Sequence, residues 1–323
     1  MKNSRKGLKS SSIGLLIFII GGFFCMANEV TLARTYDLYV EAQAAAGGDG
    51  SQARPYNSIG KALSQTKEDQ IVFVKNGLYQ EQIVIPRQVE VLGEDEKRVI
   101  IDGGDGADKG DTVYMNHKTK LKNVTVKGGY VGIRVPKRAG VKVDNVTIKK
   151  AKKDGVYLEG DKKTRRKDRY ERDFEDCKII DNGAKGMYVK KSQFSIEESE
   201  IEDNEEEGID LRKYVKGRIE DNEFDDNGES HIETKIDKIK LKIKDNNFED
   251  GDRSAIALQS YQGSGGYIYL KDNKIKDNKH YGIKCKRMSN GPAGGWASKL
   301  MMIGNKFASN DKGDFSKRCK IDR

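Results

Sequence analysis

The feature that most constrains this chain is a short segment that recurs eight times with one apolar residue at a fixed place. The copies are KNVTVKGG (122–129), DNVTIKKA (144–151), EDCKIIDN (175–182), EESEIEDN (197–204), EDNEFDDN (220–227), KDNNFEDG (244–251), KDNKIKDN (271–278) and IGNKFASN (303–310). A second series alternates with them: GIRV (132–135), GVYL (155–158), GMYV (186–189), GIDL (208–211), HIET (231–234), AIAL (255–258) and GIKC (282–285). Its members start 23, 31, 22, 23, 24 and 27 residues apart. Short alternating strands separated by Asn, Gly and Asp turns at this period specify a solenoid.

Strand alternation then sorts the residues. In GIDL, Ile209 and Leu211 share one side and Asp210 takes the other. Coils stacked about 4.8 Å apart set Ile133, Val156, Met187, Ile209, Ile232, Ile256 and Ile283 in one inner row. A second inner row runs through Val126, Ile148, Ile179, Ile201, Phe224, Phe248, Ile275 and Phe307. Two asparagine columns support the register: Asn222, Asn246, Asn273 and Asn305, and Asn182, Asn204, Asn227, Asn278 and Asn310. Stacked amides bond along the axis and satisfy backbone groups at the bends, which favours a structural role for them.

With 36% apolar and 34% charged residues, the composition suits a narrow core one coil wide. Lys2, Arg5, Lys6 and Lys9 precede an apolar run from Ile13 to Ala27, so residues 1–33 read as a secretory signal or, if uncleaved, an N-terminal anchor. Loss of residues 1–27 removes four positive charges and lowers the net charge from +9 to +5. Export and this modest charge disfavour nucleic acid as a partner, and membrane contact is expected only through an uncleaved leader. No CxxC or spaced Cys/His cluster indicates zinc. Cys177 and Cys285 occupy inner columns and read as buried thiols, with a Cys285–Cys319 bridge the lesser alternative.

The coils resemble right-handed parallel β-helix repeats of the pectate-lyase-like superfamily over roughly residues 35–310. The lead-in, GGDGSQARPYNSIGKAL (47–63) followed by DQIVFVKNGLYQEQIVI (69–85), is similar to that family's capping helix and first coil. The resemblance implies an all-β, single-stranded right-handed parallel β-helix with an N-terminal capping helix. The expected division is a leader at 1–33, an N-terminal cap at 34–70, the β-helix at 71–310 and a C-terminal tail at 311–323. The chain departs from the paired-aspartate and histidine motifs of polygalacturonases and from the Tyr-Gly-Phe-Asp-Pro-His segment of mannuronan epimerases; His231 in HIET carries neither. Fold alone leaves the activity open.

The outward residues of the second series run Arg134, Tyr157, Tyr188, Asp210, Glu233, Ala257 and Lys284, one per coil. The next outward positions are Pro136, Glu159, Lys190, Arg212, Lys235, Gln259 and Lys286. Aromatic rings stack on sugars and cations pair with uronate carboxylates, so this face suits an acidic polysaccharide. Arg134, Tyr157, Tyr188, Lys190 and Lys284 are the candidate substrate-binding residues. Asp210 and Glu233, on adjacent coils and pointing the same way, suit a glycosidase pair poorly. They fit lyase chemistry better: both could hold calcium against a uronate while Arg212 or Lys235 removes the C5 proton. The plainer reading is a solvated face with ion pairs between coils.

Two inserts interrupt the repeat. DKKTRRKDRYERD (161–173) carries seven basic and four acidic residues and could clamp an acidic polymer, or be a solvated loop. KRMSNGPAGGWASKL (286–300) holds the only tryptophan, Trp296, a sugar platform or part of a C-terminal cap. The sequence points to a secreted or cell-surface protein that binds or processes polysaccharide, as a uronate lyase or epimerase if an enzyme. The alternative is a non-catalytic adhesin or a structural spacer.

Overall fold

A computed structural model describes residues 35–160, 170–236, 239–260, 266–287 and 299–319. Its strands form three parallel ladders that the chain visits in turn. The first contains Leu38–Val40, Ile71–Val74 and, six coils after that, Lys216–Glu220; the second contains Gly77–Tyr79 and later Glu223–Asp225. The third has ten strands, from Ile83–Ile85 to Gly313–Phe315. The strands Thr119–Lys127 and Val141–Lys149 run through both of the first two ladders, so these join into one sheet of 19 strands. All pairings are parallel, as a chain that always winds one way requires.

Each inner row is a column of buried side chains. Ile133, Val156, Met187, Ile209, Ile232, Ile256 and Ile283 have no exposed surface, and Phe224 stacks on Phe248 at 4.7 Å between ring centroids. A parallel sheet buried on its inner face gains its stability from such contacts between coils.

The corners explain the repeated Asp-Asn dipeptides. Between the first and second ladders Asp221, Asp245 and Asp272 adopt the left-handed conformation, and after the second ladder Asp181, Asp203, Asp226 and Asp277 do the same. Asp tolerates that region better than most residues. It turns the following Asn inward, where the amides form continuous ladders. Nδ2 of Asn222 donates to Asn246 at 2.9 Å, Asn246 to Asn273 at 2.9 Å and Asn273 to Asn305 at 2.8 Å. In the other column Asn182 donates to Asn204 and Asn204 to Asn227, both at 2.9 Å.

That second column is broken at Gly251, and the break is compensated. In other coils a glycine, such as Gly186 or Gly208, makes room for the asparagine of the next coil. Where the next coil has Gly251 instead, the glycine is replaced by His231. The imidazole is fully buried, contacts Asn227 Nδ2 at 3.1 Å and fills the space that a Cβ on Gly251 would enter. His231 is a packing residue, and burial pushes its pKa down to about 4.

The helical segment near the N-terminus is five residues long, Ile59–Leu63. Ser58 caps it, and Glu81 accepts from the backbone N–H groups of Ile59 and Gly60 at 2.8 and 2.9 Å. Ile59, Ala62 and Leu63 bury against the first strands of the first and third ladders.

At the other end the structure corrects the reading of Cys285 as a thiol. Gly313–Phe315 pairs with Tyr281–Arg287, which continues the chain around one more corner and brings Cys319 back to Cys285; the two form a disulfide with a Cα–Cα distance of 5.1 Å. Cys177 is a buried free thiol, with its pKa pushed up to about 12 by burial.

Candidate functional site

The third ladder sets its outward residues in strict register. Arg134 lies beside Tyr157, Tyr157 beside Tyr188, Tyr188 beside Asp210, Asp210 beside Glu233, Glu233 beside Ala257 and Ala257 beside Lys284. The neighbouring row places Lys190 beside Arg212 and Arg212 beside Lys235. Trp296 and residues 161–169 of the basic insert lie outside the described residues, as does the leader.

One end of the row is aromatic. Asp111 binds Arg134 in a two-pronged ion pair and fixes the guanidinium 4.5 Å from the centre of the Tyr157 ring. Tyr157 stacks on Tyr188 with centroids 5.1 Å apart and planes 21° from parallel. Burial raises the pKa of both phenols, so both stay protonated near neutral pH.

The centre is an ion-pair network. Arg212 folds back over Asp210, forms an ion pair with its carboxylate through Nε and reaches Glu233 with Nη2 at 3.3 Å. The same Nη2 lies 3.9 Å from Glu207, which Lys185 approaches at 3.2 Å; Lys185 also pairs with Glu206. Arg253 holds Glu229 at 3.3 Å. The sequence placed Asp210 on an open face, but Arg212 and the corner residues cover it and it has no solvent exposure. Burial lifts its pKa to about 7, with Arg212 acting in the opposite direction, and burial also raises Glu233.

Three carboxylates, Glu207, Glu229 and Glu233, bring oxygens within 4.8 Å of one another. Oxygen donors from flexible acids suit calcium. Each of the three also faces a cation, so a metal ion there competes with Lys185, Arg212 and Arg253. Asp210 lies outside this group.

Lys190 and Lys235 are half-buried with no carboxylate partner among the described residues. Ala257 leaves a gap before Lys284, whose pKa is lowered by burial and by Lys286, Arg253 and Lys312.

Sequence reasoning missed Glu207, Lys185 and Asp154. Their signal was present: the residue immediately before the glycine of GVYL, GMYV and GIDL is charged in each case, as Asp154, Lys185 and Glu207. At one coil of separation such residues meet, and a column of alternating sign is an electrostatic ladder.

These observations define a three-faced parallel solenoid. Residues 131–307, more than half of the chain, match the family model described as the right handed beta helix region, and the chain belongs to that family. No curated protein shows significant sequence similarity to it. Solved structures with the same fold include a polygalacturonase from Erwinia carotovora, 11% identical with a TM-score of 0.64, covering 92% of this chain and all of that one. An alginate lyase from a Paenibacillus species is 12% identical with a TM-score of 0.61, over 80% and 94% of the two chains. The A-module of a mannuronan C-5 epimerase from Azotobacter vinelandii is 14% identical with a TM-score of 0.53, over 88% and 100%. At such identities the likeness is one of fold. Among the described residues, no helix is long and apolar enough to cross a membrane.

Proposed function

We propose that this protein is exported, binds an acidic polysaccharide along its third ladder and acts on the uronate residues as a lyase or epimerase. The observation that carries the reading is the continuous run of Arg134, Tyr157 and Tyr188 into Asp210, Arg212 and Glu233 on successive coils. The stacked tyrosines offer a platform for sugar faces, and Lys190, Lys235 and Lys284 offer charge for carboxylates. Solved proteins of this fold that process polygalacturonate-type and alginate-type chains lend support.

In this reading, neutralising the uronate carboxylate acidifies the C5 proton. Arg212, positioned between Asp210 and Glu233, serves the carboxylate, and Lys235 beside it takes the proton. In a lyase the C4–O bond then breaks as the C4–C5 double bond forms. In an epimerase Lys235 keeps the proton it took and water supplies another to the opposite face of C5. Calcium would be held by Glu207, Glu229 and Glu233 and would supply charge for the same neutralisation.

The full pairing of the acids and the burial of Asp210 favour a second reading, a non-catalytic adhesin that uses the same face. One experiment separates the two. The full chain is incubated with polygalacturonate and with alginate, with and without calcium, and two products are followed: unsaturated ends by their ultraviolet absorbance and C5-inverted residues by proton NMR. Product that disappears in Lys235→Ala is the expected result. Binding without product, weakened in Tyr157→Ala and Tyr188→Ala, establishes the adhesin. Neither product nor binding refutes both.

A further inference from the structure

The first ladder carries a groove of about 450 Å³ that the third-ladder site does not explain. Its outward residues change character coil by coil. Asp173 is followed in register by Ser195, Arg218 and Lys242, and the row beside it runs Gln193, Lys216, Lys240 and Tyr267. Lys216 therefore stands directly opposite Lys240, and Arg218 directly opposite Lys242. Four cations on two adjacent strands repel, because like charges at facing positions are destabilising.

Cations also face each other elsewhere on this ladder, as Lys120 and Lys142 do, but there each has an acid beside it. In the earlier coils of the same ladder the cations meet acids: Lys120 with Glu90 at 3.1 Å, Lys122 with Asp144 at 2.8 Å and Lys142 with Glu175 at 2.8 Å. In the quartet only Arg218 has such a partner, Glu197. Lys216, Lys240 and Lys242 have no carboxylate partner among the described residues. The groove is also lined by Arg172, which is buried at 3% exposure. Its Nε has no hydrogen-bond partner among the described residues, and its other nitrogens reach only the carbonyls of Tyr170 and Pro136 at 3.5 Å. Five positive groups thus converge on one cleft that holds two acids, Glu171 and Asp173.

We infer that this groove is a separate binding site for an anionic polysaccharide segment lying along the solenoid axis. Its carboxylate or sulfate groups sit over the quartet and relieve the repulsion there. A sugar ring rests on Tyr267, whose ring centre is 6.0 Å from Lys240 Nζ. The pitch between coils, about 4.8 Å, is close to the length of one pyranose unit, so successive sugars meet successive coils. Asp173 and Glu171 at the far end set the limit of the anionic stretch by repulsion. The site lies on a different ladder from the proposed uronate face, so the two stand or fall separately.

The test uses the full chain at low ionic strength, titrated with polygalacturonate as the carboxylate probe, dextran sulfate as the sulfate probe, neutral dextran and single-stranded DNA. The expected result is salt-sensitive binding of at least one anionic glycan and none of neutral dextran. The titrations are made in the Tyr157→Ala/Tyr188→Ala background, which weakens the third-ladder face, and the affinity that remains there should fall at least tenfold on adding Lys216→Gln/Lys242→Gln. The relative response to the two glycans identifies the anionic group. The glutamine variant should melt no lower than the parent protein, which separates lost binding from lost folding. Equal affinity with and without the glutamine substitutions in that background, loss of all binding in the tyrosine variant, or tighter binding of the DNA than of either glycan would each overturn the inference.

Discussion

The His231–Gly251 pair offers a sharp test of how the coils are held together. Gly155, Gly186 and Gly208 each lie where an added Cβ would come within 2.7, 3.0 and 3.2 Å of the amide nitrogen of Asn182, Asn204 and Asn227 in the next coil. His231 takes the glycine place in the coil whose successor has Gly251 in the asparagine place, so the two exceptions compensate. His231→Gly alone empties the imidazole volume and takes a partner from Asn227. Asn227 Nδ2 keeps its bonds to the carbonyls of Ile201 and Asp225, so the cost is that of a large-to-small core change, about 3–4 kcal/mol. Gly251→Asn alone places a Cβ 2.7 Å from His231 Nε2 and 2.9 Å from Asn278 Oδ1, an overpacking cost of about 2–3 kcal/mol. The double variant rebuilds the amide ladder from Asn227 through position 251 to Asn278 and should lie within about 1 kcal/mol of the parent, a coupling of at least about 3 kcal/mol. Urea unfolding followed by circular dichroism measures all four proteins. The same series carries a pH signature. His231 in the unfolded chain accepts a proton below about pH 6.5, whereas in the fold it resists until about pH 4. Its contribution is therefore complete above pH 6.5 and is lost as pH falls toward 4, by up to about 3 kcal/mol. The double variant should lack that loss. Additive single effects, or an acid response unchanged in the double variant, would refute the compensation.

Two further outcomes follow from buried groups. Asp210, with its pKa raised from 3.8 to about 7, keeps its proton in the fold while the unfolded chain releases it, so its contribution is fully present below pH 4 and is lost as pH rises through 7. Asp210→Asn should remove up to about 4 kcal/mol of that dependence, and unfolding at pH 4, 6 and 8 should show the variant gaining on the parent as pH rises; a constant difference across the three would contradict a neutral buried carboxyl. Cys319→Ser opens a loop spanning 34 residues, with a chain-entropy effect of up to about 4 kcal/mol. Because coils stabilise mainly their neighbours, hydrogen exchange should quicken in strands Tyr281–Arg287 and Gly313–Phe315 and stay unchanged near Ile133–Val135; uniform quickening would show that the array unfolds as one unit.

The parts of this molecule that were legible in the sequence are those that repeat. Asp-Asn at a corner means the same thing in every coil, a left-handed residue followed by an inward amide, so Asn222, Asn246 and Asn273 announce the winding before any contact is known. The outward row from Arg134 to Lys284 was equally legible, because alternation on a parallel ladder leaves no freedom in which neighbours meet. The state of Asp210 was not. Its burial depends on Arg212 folding back along its own strand and on Lys185 and Glu207 arriving from corners of two different coils, choices of side-chain conformation that strand periodicity does not encode. The Cys285–Cys319 bridge was hidden for a related reason: it forms where the repeat ends, and the path of Gly313–Phe315 follows the last coil without restating its pattern. Charge is the intermediate case. A quartet such as Lys216, Arg218, Lys240 and Lys242 is visible only after the register is known, since Lys216 and Lys240 are 24 residues apart in sequence and one coil apart in space. In a solenoid, then, the inside is read along the chain, and the outside must be read across it.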